Sequence, residues 1–251
     1  LEGTDIFQFG KTRSFSNNSP SIFYTRRIGR NPRGSINESD TQYENYPSQT
    51  NILSALKFSG KTSKGFSFGI MDAITAKEEA LYIDSTNTEN SQPIEPFANS
   101  IVLRLKQDLN QGKMNFGGFI THRNQHLSTN YLDSLFLSNA YVLGTDFEYA
   151  LPEPSWILSG YIAKSHLSGK NSVITNIQRS STHYFQRPDD GILLDSTKTV
   201  LTGTSSELSL TKISGKNIKG SFTFNQMSPG YNVNELGYMG YMGYMYMGIL
   251  R

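Results

Sequence analysis

The sequence predicts an all-β fold, specifically an antiparallel transmembrane β-barrel built as a meander of hairpins with short turns and long loops. Three observations predict this class: no apolar run is long enough for a spanning helix, apolar residues alternate with a period of two, and tight turns alternate with long polar connections. The mean hydropathy of −0.43 is compatible with it. Barrel strands turn only alternate residues to lipid, so they lack the ~18-residue apolar stretch of a membrane helix.

Alternation of polar and apolar residues predicts four hairpins. In the first, residues 52–58 alternate, residues 60–65 form the turn, and residues 66–70 return. The other three turn at 110–113, at Pro152-Glu153-Pro154 and at 214–217. Their arms, about nine to twelve residues long, match a tilted crossing of a bilayer and exceed the usual globular strand of about five or six.

The two faces of these strands are predicted to meet different surroundings, lipid on one side and an aqueous lumen on the other. In the third hairpin, for example, Leu143 and Phe147 alternate with Asp146 and Glu148. The residues predicted to face the lumen are Arg104, Lys106, Asp146 and Glu148. The residues predicted to face lipid are Leu143, Phe147, Tyr149, Leu158, Phe222 and Phe224.

Long polar connections separate the hairpins, at about residues 30–50, 76–98, 123–138 and 168–204. Short turns at one end and long loops at the other are typical of outer-membrane barrels, although a soluble sandwich can share the pattern. We expect one domain over residues 1–251. It is expected to be a fragment, because the chain starts without an initiator Met or leader and ends on Arg251 rather than on an aromatic residue.

Composition excludes several classes of site. The formal net charge of +2 comes from scattered basic and acidic residues, which gives no electrostatic footprint for nucleic acid. The chain has no cysteine, so disulfides and thiolate metal sites are excluded. His122 and His126 have the spacing of a helical metal site, but their segment is predicted to be a strand end. No metal site, cofactor or catalytic motif is therefore expected.

Two groups of side chains are candidates for binding a ligand or a partner. Arg26, Arg27, Arg30 and Arg33 form the densest basic cluster, which could bind lipopolysaccharide phosphates or an acidic glycan. The alternative, which we favour, is a patch held by internal acids. Tyr131, Tyr184, Phe185 and Arg187 lie in long connections, where they could stack on sugars, dock a partner, or pack the loops against one another.

Short motifs occur in a particular order along the chain. They are Leu1-Glu2-Gly3 with Phe7, Phe23-Tyr24-Thr25-Arg26-Arg27-Ile28-Gly29-Arg30 with Pro32, Gly65-Phe66-Ser67-Phe68-Gly69 with Asp72-Ala73-Ile74-Thr75, Gly144-Thr145-Asp146-Phe147, residues 183–189, and residues 228–237. This series resembles the Bacteroidota outer-membrane barrels catalogued as a domain of unknown function, number 5916. Those barrels usually follow a carbohydrate-binding module of the family-9 type.

The resemblance implies a place in the cell outer membrane and a role in glycan or nutrient capture or passage, or as a subunit of a larger outer-membrane assembly. The partners it implies are membrane lipid or lipopolysaccharide, a glycan, and other outer-membrane proteins. The family's barrel is longer than this chain, so only part of the wall is expected here. Past Gly237 the motifs give way to a Gly-Tyr-Met repeat, whose period of three is that of neither a strand nor a helix.

Two other hypotheses stay open at this point. The first is a soluble β-rich enzyme that acts on polysaccharide, for which Asp146 and Glu148 are the candidate acid–base pair. We expect instead that these carboxylates line a water-filled lumen, with Arg104 and Lys106 as countercharges, and that the protein is not an enzyme. The second is a structural, partner-binding barrel whose lumen is plugged.

Overall fold

A computed structural model describes residues 5–10, 21–152, 156–183, 185, 192–214, 219–239 and 247–249. Within these ranges the chain forms twelve β-strands, two short α-helices and three short 3-10 helices. All the strand pairs are antiparallel, which confirms the predicted all-β, antiparallel class. The sheets do not close on themselves, so the barrel itself is not confirmed. Among the described residues, no helix has both the length and the apolar character needed to cross a membrane.

The strands divide into a large sheet and a small one. The small sheet has the order β1-β4-β5, and the large sheet has the order β12-β11-β10-β9-β8-β7-β6-β3-β2. The strands are β1 (Tyr43–Asn45), β2 (Ile52–Lys61), β3 (Phe66–Thr75), β4 (Glu78–Ile83), β5 (Glu89–Glu95), β6 (Phe97–Leu109), β7 (Met114–His126), β8 (Leu137–Ala150), β9 (Trp156–Gly169), β10 (Val200–Lys212), β11 (Gly220–Met227) and β12 (Met247–Ile249). The α-helices are α1 (Asn130–Leu135) and α2 (Asn171–Arg179).

The four predicted hairpins are confirmed as β2/β3, β6/β7, β8/β9 and β10/β11. The strand ends that these hairpins join lie together at one end of the large sheet, which we call the turn end. Glu153, Pro154 and residues 215–217 of the predicted turns lie outside the described residues. The long connections β3 to β6, β7 to β8 and β9 to β10 lie at the other end, which we call the loop end. The predicted asymmetry of short and long connections is therefore present.

The predicted long polar connections contain secondary structure that the sequence pattern did not indicate. Residues 76–98 include the hairpin of β4 and β5, which pairs with β1. The connection 123–138 contains α1, and 168–204 contains α2. Strands also extend into these connections: β10 begins at Val200, and its residues 202–206 carry no large apolar side chain on either face.

One face of the large sheet is covered by other parts of the same chain. Three stretches, residues 5–10, 21–33 and 228–239, supply apolar side chains that pack on it, and we call them the covering segments. The resulting core contains Phe7, Ile22, Phe23, Val102, Phe119, Val142, Tyr161, Ala163, Tyr231, Val233, Leu236 and Met239. A smaller core at the loop end packs α2 on the same sheet, through Leu137, Ala140, Leu167, Val173, Ile174, Phe185 and Leu201.

Two glycines of the covered face allow this close approach. A Cβ on Gly144 would lie 2.5 Å from the Cζ of Phe9, and a Cβ on Gly203 would overlap the backbone of Tyr231. Since real Cβ atoms essentially never come so close, any larger residue would push a covering segment away from the sheet. The glycines therefore help to fix where the covering segments lie.

Candidate functional site

The opposite face of the large sheet is exposed and apolar. Leu143, in the middle of β8, is 57% exposed, and no described segment packs on it. The large apolar side chains exposed on this face include Ile70, Ile101, Leu105, Leu109, Phe116, Ile120, Leu143, Ile162, Leu208, Phe222 and Phe224. The strand register places them side by side across neighbouring strands, so they form one continuous band.

Polar side chains border this band toward the loop end. Asn99 donates to Asp72 at 2.7 Å across β6 and β3. His122 on β7 stacks on Tyr141 of β8, with ring centroids 4.0 Å apart. Farther along the sheet the border consists of Lys164 on β9, Ser206 on β10 and Gln226 on β11. We call this row the loop-side border.

The loop-side border crosses the strands obliquely. We call residues level when they are connected by direct pairing through the strands between them. His122 of β7 is level with Thr202 of β10, whereas Gln226 of β11 is level with Ser206 of β10. From β7 to β11, the border thus shifts by about four residues toward the turn end. With ~3.3 Å per residue and ~4.8 Å between neighbouring strands, this shift over four strand spacings is an inclination of ~35°.

Toward the turn end, the band continues to the ends of the strands and has no inclined border. Gln107 is the polar residue of β6 on this face, but the exposed Leu109 lies beyond it and is level with Leu210 of β10 through the intervening strands. On β10 the next residue of this face, Lys212, ends the apolar stretch. From the loop-side border to these ends, the face spans about six to ten residues, or ~16–27 Å along the inclined direction, compared with the ~25 Å apolar band of outer-membrane barrels.

On the covered face, Arg104 and Asp146 form a two-point ion pair. Arg104 Nη1 and Nη2 donate to the two carboxylate oxygens of Asp146 at 2.7 and 2.8 Å, and the Gly10 N–H donates to Oδ2 at 3.0 Å. The Arg104 side chain is only 4% exposed, and its guanidinium lies 5.8 Å from the centre of the Phe9 ring. A Cβ on Gly117 would overlap both charged groups, so the pair needs glycine at this position.

A cavity of about 430 Å³ opens beside this ion pair toward the turn end. Its polar lining includes Gln8, Lys106, Asn115 and Glu148. Lys106 lies 3.9 Å from Asp108, so its countercharge is not Asp146. The four residues predicted to face the lumen thus lie on the covered face around one polar cavity, whereas the six predicted to face lipid lie on the exposed face.

A second group of charges ties the covering segments to the loop end of the sheet. It consists of Arg30, Arg33, Glu95, Arg123 and Glu235, which we call the ionic cluster. Arg33 contacts Glu235 at 2.9 Å and Glu95 at 3.2 Å, and Arg30 contacts Glu235 at 3.3 Å. Arg123 lies 3.5 Å from Glu95 and 3.6 Å from Glu235. Three arginines and two glutamates from four parts of the chain therefore meet here.

The charges of this cluster perturb one another. Burial by itself raises the pKa of Glu235, but the guanidinium groups of Arg33, Arg30 and Arg123 outweigh it and lower the pKa to about 2. For Arg30, burial and the charge of Arg33 lower the pKa to about 10. The Glu235 carboxylate is thus kept ionised by the arginines that surround it.

The other candidate contact residues have mixed surroundings. Arg26 is exposed, whereas Arg27 Nε donates to the Gly237 carbonyl at 2.9 Å. Phe185 is buried in the core under α2, and the Tyr131 hydroxyl bonds to the backbone of Ser35. Tyr184 and Arg187 lie outside the described residues. Arg30, Phe185 and Tyr131 therefore pack the loops and covering segments together.

One connection was not anticipated from sequence. His183 Nδ1 lies 2.6 Å from the Pro229 carbonyl, and Asn232 Nδ2 lies 2.9 Å from His183 Nε2. Burial lowers the pKa of His183. No group of three or more histidine and carboxylate residues in the described parts of the chain could hold a metal ion. The contact joins the segment after α2 to the third covering segment.

A family model described as a domain of unknown function, DUF5916, matches residues 1–249. The chain belongs to this family. The match covers the covering segments, the apolar band with its loop-side border, and the ionic cluster of the DUF5916 chain. No curated protein and no solved structure matches it. The motifs 23–30 and 228–237 of the DUF5916 chain lie together in the structure, because Arg30 of the first contacts Glu235 of the second.

Sequence reasoning missed Glu95 and Glu235, the two acids of the ionic cluster. Glu235 lies within the motif 228–237, which is the one signal that pointed to its neighbourhood. Nothing in the alternation of residues 76–98 marked Glu95, because its partners Arg33 and Arg123 come from distant parts of the chain.

Proposed function

We propose that this chain forms part of the wall of a β-barrel in the cell outer membrane. There it serves in glycan or nutrient capture, or as an anchored subunit of a larger outer-membrane assembly. The observation that carries the proposal is the apolar band of the exposed face, with its oblique loop-side border. Strands of membrane barrels tilt by ~35–45° from the barrel axis, so lipid boundaries must cross them obliquely. An apolar sheet face that packs on protein has no reason to show such a border.

The covered face supports capture or assembly better than free passage. The covering segments occupy this face, and the ionic cluster fixes two of them to the sheet. A wall whose inner side is filled by its own chain resembles a plugged barrel rather than an open channel. The polar cavity of about 430 Å³ beside Arg104 and Asp146 remains as space for a small polar ligand such as a sugar.

The alternative, a soluble enzyme that uses Asp146 and Glu148, has less support. Both carboxylate oxygens of Asp146 accept hydrogen bonds from Arg104, and one accepts a third from Gly10. A catalytic carboxylate must reach its substrate, and Arg104 and Gly10 already occupy both oxygens of Asp146. We therefore propose that the protein is not an enzyme and that Asp146 orders the covered face.

Membrane insertion is tested by placing a charge in the middle of the band. We expect Leu143→Arg to abolish recovery in the outer-membrane fraction, since arginine at the bilayer midplane of a barrel costs about 2–4 kcal/mol. The matched control is Leu193→Arg, because Leu193 is 83% exposed in the connection before β10. Recovery is measured by density-gradient fractionation and by heat-modifiable migration in gels. Wild-type protein in the soluble fraction, or equal recovery of both variants, would refute the proposal.

A further inference from the structure

The exposed face carries a cationic group where the loop-side border crosses β9. Lys164 is exposed and level with Leu143 on β8 and Thr204 on β10. His166 follows on the same face, 6.3 Å from Tyr141 between ring centroids, and pairs across the strands with Thr202. We call Lys164, His166, Tyr141, Thr202 and Thr204 the Lys164 patch.

The charge of Lys164 is not neutralised within the described part of the chain. Lys164 forms no ion pair with any described residue. The nearest acidic residues on adjoining strands, Asp146 and Glu207, have their side chains on the covered face. The patch therefore presents one cation together with the hydroxyl groups of Thr202, Thr204 and Tyr141, all of which are exposed.

On the side of the Lys164 patch that lies toward the turn end, the exposed face is apolar. Ile162 lies two residues from Lys164 on the same strand and face and is 57% exposed, with Leu208 nearby on β10. A lysine can lay its methylene stem along such a surface and direct its ammonium group to the polar side. The arrangement is a cation and hydroxyl donors above an apolar surface, which is complementary to an anionic headgroup above acyl chains.

We propose that the Lys164 patch binds the phosphate of a lipid headgroup in the leaflet that faces the loop end. The ammonium group of Lys164 pairs with the phosphate, and the hydroxyls of Thr202, Thr204 and Tyr141 donate to its oxygens. The acyl chains lie along Ile162, Leu143 and Leu208. The inference rests on the proposed membrane location, and it adds a specific lipid contact to it.

The test measures which lipid stays bound to the purified full chain. Detergent micelles are loaded with equal amounts of dioleoylphosphatidylglycerol and dioleoylphosphatidylcholine, which share their acyl chains, and bound lipids are counted by native mass spectrometry. We expect wild type to retain the anionic lipid about fivefold over the zwitterionic one, the size expected of one lysine contact with an anionic lipid. Lys164→Gln should lower the ratio to about one, and Lys164→Arg should preserve it.

Lys106→Gln is the matched control, because it removes the same charge from the covered face. It should leave the ratio at the wild-type value. The inference is overturned if Lys164→Gln keeps the wild-type ratio, or if both glutamine variants lower it equally. Displacement of the lipid by excess glycerol phosphate would also overturn it, since the site would then take free phosphate.

Fractionation of the same variants separates this inference from the proposed function. Wild type and Lys164→Gln should both be recovered in the outer-membrane fraction, with the same heat-modifiable migration. If wild type is recovered there while Lys164→Gln retains the lipid preference, only the Lys164 site is refuted. If wild type is absent from the membrane fraction, the proposed function itself fails.

Discussion

The exposed and covered faces of the large sheet are made by the same strands, yet they are organised by different physical requirements. On the exposed face, side chains such as Leu143 and Ile162 share only their apolar character and a position on the turn-end side of the loop-side border. On the covered face, Arg104 and Arg123 each have defined partners at defined distances. The comparison teaches that one face requires a composition, whereas the other requires particular shapes and charges.

The largest expected difference between the faces concerns buried charge. Arg123→Gln leaves Glu95 and Glu235 with one countercharge fewer in a buried site, which should destabilise the protein by about 3–5 kcal/mol. Arg26→Gln removes an exposed arginine and should change stability by less than about 0.5 kcal/mol. The urea concentration at which heat-modifiable migration is lost measures both. Equal midpoints for the two variants would mean that the ionic cluster does not stabilise the covered face.

Acid should weaken the covered face before it affects the exposed one. Glu235 has its pKa lowered from 4.5 to about 2, so the stability it contributes is fully present above pH 4.5 and is lost as pH falls toward 2. The loss should reach about 3 kcal/mol for this group. In urea titrations from pH 7 to 2, Glu235→Gln should flatten the decline in midpoint. The exposed Glu38→Gln serves as the control and should keep the wild-type decline.

Substitutions of two glycines, one on each face, test the same comparison and should change stability by smaller amounts. Gly203→Ala on the covered face forces a Cβ into the backbone of Tyr231, and overpacking of this kind should cost about 1–3 kcal/mol. Gly118→Ala on the exposed face meets no atom within 4 Å and should be neutral or stabilise by about 0.5–1 kcal/mol. The same urea midpoints distinguish them. A Gly118→Ala variant as unstable as Gly203→Ala would show that the exposed face is packed.

Local patterns predicted the hairpins well because the alternation of apolar and polar residues in a strand depends only on neighbouring residues. The turns at 60–65 and 110–113 were found in this way, and so was the sidedness of β8. Helix α2 was missed because it has only nine residues, although Val173, Ile174 and Ile177 follow a helical period within it. The start of β10 was missed because only Val200 and Leu201 are apolar there, and no alternation of apolar residues follows over residues 202–206.

The covering segments could not be predicted for a different reason. Phe7 and Phe23 looked like ordinary apolar residues of an irregular segment, and their packing on β6 to β9 depends on the whole sheet. The basic cluster was noticed, and internal acids were the favoured explanation. The sequence could not predict which acids these are, since Arg33 and Glu235 are separated by 202 residues.

The sequence by itself determined the antiparallel strands, their hairpin pairing, and the choice of which side chains share a face, because a period of two and a tight turn are local properties. Only the tertiary structure decided that one face is covered by residues 5–10, 21–33 and 228–239, and that five charges from distant segments meet at its loop end. It also decided the oblique loop-side border of the apolar band, because this border depends on the register of many strands at once. Contacts between distant residues follow from the assembled sheet, and no local pattern of residues encodes them.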